Sequence, residues 1–338
     1  MDMNISGGVT QVLPIDDDSQ VGHARRTAQK LAEGLGLDES DAGRVALVAT
    51  ELASNLLKHA GRGELHLRTL PRSNGAGVEI IAVDRASGFE LEACLTDGYS
   101  TGGTQGIGLG AISRQADVFD AYADARGAVL LARLYPRTAT KPDLPIGVSQ
   151  HSLNGDPACG DAWCVVLSDN AVSALVIDGL GHGEEAEQAA LAGTQAFANG
   201  PFNDPLLLID DLHRAMRGTR GGAVAIAQAR LDGGQLRFVG IGNITANLIG
   251  AGKSRGMASH PGIVGGQFRK AQPFDFEQVT GQLLVMHSDG LQSRWNLDDY
   301  PGLAYRHPAV IAAVLHRDFC RGRDDVTVVV IALEAIDG

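Results

Sequence analysis

The sequence predicts an α+β protein of two domains, each a β-sheet layered with helices. Three observations carry that prediction. The chain has 338 residues, more than the ~250–300 at which a single core stops growing. Apolar runs of strand length alternate with stretches of helical period along the whole chain. A proline-rich break, Pro136 to Ser149 (PRTATKPDLPIGVS), separates a first part with prominent helices from a strand-rich second part. The expected division is a first domain over 1–136, a linker over 137–149 and a second domain over 150–338.

In the first part, Ser19 to Leu35 places Val21, Ala24, Ala28 and Leu31 on one helical face. Asp38 can cap a second helix from about Glu39 to Ala60. Glu64 to Leu70 alternates polar and apolar and Gly77 to Val83 is a compact apolar run, so both read as strands. A third helix is expected from Gly106 to about Asp117, and Gly127 to Tyr135 closes the domain as a strand. In the second part, strands are expected at Trp163–Leu167, Ser173–Ile177, Gly222–Arg230, Gln235–Gly240, Leu283–His287 and Val326–Ile331. Helices are expected at about Glu184–Asn199, Pro205–Arg217 and Pro308–Phe319. Gly-Gly and Asp-Gly turns between neighbouring strands predict antiparallel pairing.

Composition excludes several classes. Hydrophobic residues at 44% rule out disorder, and 44 glycines without a three-residue repeat rule out collagen. No run approaches the ~18–20 apolar residues of a membrane helix. Met1-Asp2-Met3-Asn4 lacks the basic and apolar stretches of a signal peptide, so no membrane partner and a cytoplasmic location are expected. Cys94, Cys159, Cys164 and Cys320 form no Cys-x-x-Cys pair and read as small core residues of a reducing compartment. Twenty-eight Lys and Arg against 40 Asp and Glu give a net charge of −12, which argues against nucleic acid as a partner.

The second helix carries Glu51, Asn55 and His59 at i, i+4 and i+8, which puts them on one face. An amide and a carboxylate stacked in this way can hold Mg²⁺ and accept a proton from an attacking hydroxyl, although the triplet alone also describes a solvated polar face. Beyond the strand Gly77–Val83 come Asp84-Arg85-Ala86-Ser87-Gly88 and then the glycine cluster of Gly102 to Gly110 (GGTQGIGLG). An acidic acceptor at a strand end can take an adenine amino group. Glycines opening a helix bring backbone N–H groups close to phosphates. Together these are the parts of an ATP site.

From about Val12 to Tyr135 the chain resembles the GHKL ATPase/kinase superfamily, in particular its anti-sigma-factor serine kinases of the RsbW and RsbT type. The resemblance implies a Bergerat-type α/β sandwich that binds ATP with Mg²⁺. The helix ELASNLLKH matches the family's N-box, which implies Glu51 as general base and Asn55 as Mg²⁺ ligand. Asp84 and Gly88 match its first glycine box, and Gly106, Gly108 and Gly110 its ATP lid. Ala86 departs from the pattern, standing where the family usually has glycine. The phosphoacceptor helix pair of histidine kinases has no counterpart before Asp38.

In the second part, four aspartate positions lie beside glycine or at strand ends: GDAW at Asp161, VIDGLGHG at Asp178, MHSDGL at Asp289 and GRDDVTVVV at Asp324 and Asp325. A single Asp-Gly pair is most simply a turn. Carboxylates gathered at neighbouring strand ends repel one another unless cations share the space, and an all-oxygen set suits Mg²⁺ or Mn²⁺. Paired ions can activate water for in-line attack on phosphorus.

From about Ile146 to Leu333 the chain resembles the PPM metal-dependent serine/threonine phosphatases of the SpoIIE/RsbX branch, with these motifs in the family order. The resemblance implies an α-β-β-α sandwich. It also implies two Mn²⁺ or Mg²⁺ ions held by Asp161, Asp178, the Gly179 carbonyl, Asp289 and Asp324, with Asp178 and Asp289 central to catalysis. Of the pair at 324–325, Asp324 aligns better with the ligand position. His182, four residues after Asp178, stands outside the spacing of the eukaryotic acid histidine, so no role transfers to it. No arginine precedes Asp161 at the place common in the bacterial branch; Arg323 is the substitute the sequence offers.

A kinase-like half and a phosphatase half on one chain imply a bacterial partner-switching regulator. Its expected partner is a small STAS-domain protein, phosphorylated by one half and dephosphorylated by the other, in a circuit that can include a sigma-factor regulator. Two alternatives stand beside this expectation: an N-terminal half that only senses ATP or docks the partner, and a scaffolding anti-sigma factor.

Overall fold

The computed structural model describes residues 3–71, 75–86, 108–138, 143–250 and 252–334. The chain forms two compact units, each assembled from separated stretches of sequence. One comprises Met1–Val9, Leu144–Asp299 and Leu315–Gly338; the other comprises Thr10–Asp143 and Tyr300–Val314. The first strand, β1 (Met3–Ile5), belongs to the former unit, where it pairs with the strand at 161–167. Residues 300–314, far beyond the proline-rich break, belong with the N-terminal unit.

The N-terminal unit is built from β2 (Gln11–Ile15), α1 (Asp18–Gly34), α2 (Glu39–Asn55), β3 (Gly63–Leu70), β4 (Gly77–Val83), α3 (Gly108–Gln115), β5 (Val118–Asp124) and β6 (Gly127–Leu134). Its antiparallel sheet has the order β2-β3-β4-β6-β5. Pro14 has no N–H for a ladder and sits in β2 at the sheet edge. Asp17 starts α1 through a capping box with Gln20, and Asp38 caps α2 by accepting from the Asp41 N–H at 2.8 Å.

Alternation sends Leu65 and Leu67 of β3, Val78, Ile80 and Ala82 of β4, and Ala128, Leu130 and Ala132 of β6 to one core with Ala28, Val45, Val48 and Leu52 of the helices. The opposite face carries a buried charge network. Glu79, 2% exposed, accepts from Arg68 at 2.7 Å and from Arg133 at 2.8 Å. Arg133, 0% exposed, also binds Asp143, which further accepts from the Tyr135 hydroxyl and lies 2.8 Å from His307 Nε2. Burial pushes the Glu79 carboxyl up, but Arg68 and Arg133 together hold it below the usual carboxylate range.

Residues 300–314 supply more than His307. Arg306 pairs with Asp120 of β5, the His307 N–H donates to the same carboxylate at 2.6 Å, and Arg126 lies 3.7 Å over the Tyr300 ring. A segment remote in sequence therefore neutralises and covers polar groups on this sheet face.

The other unit contains β7 (Ile146–His151), β8 (Asp161–Leu167), β9 (Ala171–Gly179), α4 (Glu184–Ala198), α5 (Pro205–Ala215), β10 (Gly222–Arg230), β11 (Gln235–Ile241), β12 (Thr245–Gly250), β13 (Lys253–Met257), β14 (Phe274–Glu277), β15 (Leu283–His287) and β16 (Val326–Ala332). One sheet has the order β1-β8-β9-β10-β11-β14 and the other β13-β12-β15-β16-β7, all pairs antiparallel. Their facing side chains, among them Trp163, Val176, Phe238, Leu248, Met286 and Val329, make the sandwich core. Phe197 of α4 and Leu208 and Leu212 of α5 cover the outer face of the first sheet. His316, in the last turn of α6 (Pro308–Phe319), stacks on His151 of β7 with ring centres 3.9 Å apart.

The linker and the second helix also differ from the sequence expectation. Residues 146–149 of the proline-rich stretch form the start of β7, an edge strand paired with β16. The expected continuous helix to Ala60 changes at Leu56–Ala60 into a π-helical turn. His59 lies in this turn and is exposed, whereas Glu51 and Asn55 are half-buried.

Candidate functional sites

In the N-terminal unit, Glu51 and Asn55 lie one turn apart on α2, both half-buried, and α3 packs on that helix with Ile112 fully buried. Asp84 closes β4. Its Oδ1 accepts from the Ala86 N–H at 3.0 Å and the Ala128 N–H at 3.2 Å, so the carboxylate is fixed at the strand end. Ala86 is not among the left-handed residues, so its backbone conformation does not demand glycine. Gly127 does need to be glycine: at φ 136°, a Cβ there would stand 2.1 Å from the Asp84 carbonyl oxygen. Gly108 opens α3 and Gly110 follows, buried, within its first turn. Gly88 and Gly106, like Cys94, lie outside the described residues.

In the other unit, the antiparallel register sets Asp161 of β8 directly opposite Asp178 of β9. Two carboxylates on one face at one sheet end are unfavourable, and the surroundings sharpen the conflict. Asp161 is buried, and burial and then Asp178 push its carboxyl well above the usual range. Burial, Asp289 and Asp324 push Asp178 up to about 7, against the help of a hydrogen bond from the Asp289 N–H. Among the described residues, no three His, Cys, Asp or Glu side chains close on a common point. The donor chemistry, oxygen throughout and concentrated in negative charge, fits hard divalent cations.

Several groups that sequence reasoning left unassigned hold these carboxylates in place. Ser288 Oγ donates to Asp161 Oδ2 at 2.6 Å and itself accepts from the Thr327 N–H at 3.0 Å. Asn243 Nδ2 donates to Asp289 at 2.7 Å. Buried His287 donates from Nδ1 to the Ser288 carbonyl, since Trp295 Nε1, which can only donate, occupies Nε2 at 3.2 Å. Burial lowers the pKa of that imidazole. Ser288 lies in the MHSDGL motif and Asn243 ends Gly240-Ile241-Gly242-Asn243, but only the fold reveals their partners.

The adjacent aspartates at 324–325 have different surroundings. Asp325, 3% exposed, accepts from the Leu153 N–H at 2.7 Å and the Gly160 N–H at 2.6 Å, tying two loops together. Asp324 is half-buried and electrostatically coupled to Asp289. Asp325→Ala is expected to cost about 3 kcal/mol of stability, because two N–H groups lose a charged acceptor. Asp324→Ala is expected to stay within about 0.5 kcal/mol of the native chain. Urea unfolding midpoints compare the two.

The glycines after Asp178 and Asp289 both permit close approach, and the second also sits in a turn, where the Leu291 N–H donates to the Ser288 carbonyl at 3.3 Å. Gly179 ends a strand, and a Cβ there would stand 2.4 Å from the Ala186 carbonyl oxygen; at Gly290 it would stand 2.0 Å from that of Asp325. Neither has a left-handed backbone. Cys159 and Cys164 are buried free thiols, as expected of small core residues, the latter pushed up to about 12 by burial. Among the described residues no helix is long and apolar enough to cross a membrane.

Residues 14–134 match the histidine kinase-like ATPase domain family. The chain is 32% identical over 97 residues to the serine/threonine-protein kinase RsbT of Bacillus subtilis (strain 168), covering 28% of this chain and 73% of that protein. It is 26% identical over 145 residues to the phosphoserine phosphatase RsbX of the same organism, covering 43% of this chain and 73% of that protein. A solved chain from a structural study of the bacterial stressosome, a modular system adapted to control secondary messenger signalling, superposes with a TM-score of 0.52 at 27% identity. That match covers 56% of this chain and 99% of the other.

Proposed function

We propose a function from one premise: the chain belongs to the RsbT-type serine/threonine kinases of the histidine kinase-like ATPase family and carries a PPM-type phosphatase domain on the same polypeptide. It is a partner-switching regulator. The C-terminal half removes phosphate from phosphoserine or phosphothreonine on a STAS-domain partner, and the N-terminal half binds ATP with Mg²⁺ and phosphorylates the same class of partner. The observation that carries the phosphatase reading is the pairing of Asp161 with Asp178 beside Asp289, an acidic site whose charges call for divalent cations.

Asp161, Asp178, the Gly179 carbonyl, Asp289 and Asp324 would hold Mn²⁺ or Mg²⁺. Bound cations of this kind supply charge neutralisation and an activated water for displacement at phosphorus. The chain's own residues fix the acidic side chains: Ser288 aims Asp161, Asn243 orients Asp289, and Asp325 ties the loops at Leu153 and Gly160. Fixed orientation of this sort lowers the reorganisation needed when charge develops on the substrate.

In the N-terminal half, Asp84 would accept from adenine, with Gly88 assigned to the same pocket. Gly106, Gly108 and Gly110 would line the phosphates. Asn55 would bind Mg²⁺, and Glu51 would take the proton of the partner's serine or threonine hydroxyl. The Asp84 carboxylate, held by the Ala86 N–H, supports adenine recognition in spite of the alanine.

A paired assay tests both halves on one STAS substrate, first with ATP and Mg²⁺, then, once it is phosphorylated, with Mn²⁺ alone. Glu51→Gln is expected to lower phosphate transfer by about 10²–10⁴-fold while leaving ATP binding intact. Equal transfer by the variant removes the general-base role. ATP binding without transfer by the native chain establishes a docking module in place of a kinase.

A further inference from the structure

The acidic site raises an electrostatic problem for the reaction assigned to it. A phosphate ester brings about −1.5 to −2 charges at pH 7 toward Asp178, Asp289 and Asp324. We propose that Arg220 binds the substrate phosphate at the rim of this site, moving there from its pair with Glu185. The inference rests on the phosphatase reading above and names a substrate-binding residue that the sequence motifs do not contain.

Arg220 lies outside all four aspartate motifs, 42 residues after Asp178, but the fold brings it to the loop that leaves Asp178. The Gly221 carbonyl accepts from the Leu180 N–H at 2.9 Å, Gly222 pairs with Gly179, and Ala223 pairs with Asp178. The Gly221 N–H donates to Thr219 Oγ1 at 3.0 Å, and the Gly222 N–H donates to the Val264 carbonyl at 3.0 Å. The backbone on which Arg220 is mounted is thus fixed against the strand end that carries Asp178. Its guanidinium lies over Gly181, where a Cβ would stand 2.9 Å from Arg220 Nη1. Gly181 has φ 82°, so glycine there meets two needs: a left-handed turn and room for the arginine.

The partner of Arg220 is a weak anchor. Glu185, in the first turn of α4, forms an ion pair with it, and both side chains are exposed. Such pairs are screened by water and contribute little, so a phosphate competes well for the guanidinium. Arginine presents two parallel N–H donors that match two phosphate oxygens, a match that a carboxylate met singly does not use fully. The rim around it is open: Gly181 and His182 are exposed, and Leu180 is 42% exposed.

The test uses the full chain saturated with Mn²⁺, with p-nitrophenyl phosphate and a phosphoserine peptide as substrates. Inorganic phosphate binding is measured by calorimetry in parallel. Arg220→Ala is expected to raise KM for both substrates and Kd for phosphate about tenfold, the equivalent of about 1.4 kcal/mol. The fall in kcat should be much smaller, and Mn²⁺ affinity unchanged. Arg220→Lys should recover part of the loss, and Glu185→Gln should lower KM by freeing the guanidinium.

Unchanged KM and phosphate affinity in Arg220→Ala overturn the proposal, as does a parallel loss of Mn²⁺ affinity, which marks a structural role. The calorimetric arm needs no turnover. A native chain that binds phosphate through Arg220 but releases none from either substrate contradicts the phosphatase reading and leaves the arginine assignment standing.

Discussion

Asp178→Asn is expected to abolish Mn²⁺-dependent phosphate release, by about 10³-fold or about 4 kcal/mol in the barrier, while leaving the chain folded. The same substitution should stabilise the metal-free protein. In the native fold burial, Asp289 and Asp324 push the Asp178 carboxyl up to about 7. The folded state then holds this proton more tightly than the unfolded chain, whose aspartates titrate near ~3.9. For such a group the stabilising contribution is present in full below about pH 4 and is lost as pH rises through 7. Asparagine removes that loss. The melting temperature of the metal-free variant should therefore exceed that of the native chain by a margin that grows between about pH 4 and 7 and is constant above. A variant that is inactive and also less stable at pH 8 would count against the acidic-site reading, because its inactivity would then reflect unfolding.

Glu79→Ala is expected to destabilise the N-terminal unit by about 3–5 kcal/mol, enough to unfold it at moderate temperature. The cause is not the loss of one ion pair but the two cations left behind. Arg68 and Arg133 are both buried, and Glu79 bonds each of them at 2.7–2.8 Å. Arg133 retains Asp143, but Arg68 has Glu79 as the dominant charge raising its pKa against burial. Adding Arg68→Met to Glu79→Ala should recover part of the loss, since it removes one of the two buried cations. Hydrogen exchange over residues 10–143 in the full chain reads the effect locally. A change under about 1 kcal/mol would mean that water or a rearranged acid compensates.

This network also shows what a sequence reader can and cannot see. Glu79 stands out as a lone acid in the apolar run GVEIIAV. Alternation alone puts it on the face away from Val78 and Ile80. Nothing near it in sequence says that this face is buried, because part of its cover comes from Tyr300, Arg306 and His307. Missed elements have a related cause. β2 contains Pro14, β1 is three residues long, and β7 lies inside the proline-rich stretch; all three are edge strands. Edge strands owe their existence to a partner more than to their own pattern.

Helices α1 and α2, the core strands β4, β6, β9, β10 and β16, and the order of the nucleotide and acidic motifs were legible because each depends on residues a few places apart. Helical and strand periods are properties of the local backbone, so they are printed in the chain itself. The candidate site residues, Glu51, Asn55 and Asp84 in one half and Asp161, Asp178, Asp289 and Asp324 in the other, are named from the order of those motifs and the family resemblance they carry. Which groups surround them was decided only by tertiary structure. Asp325 and Asp324 are chemically identical neighbours, and they differ because Gly160, 165 residues away, brings its N–H to one of them. Asp289-Gly290 is the turn it looks like, but that Gly179 and Gly290 also let backbones approach depends on Ala186 and Asp325. Ser288, Asn243 and Arg220 gained their partners in the same way, through contacts whose energies depend on where distant segments pack and not on the spacing of residues along the chain.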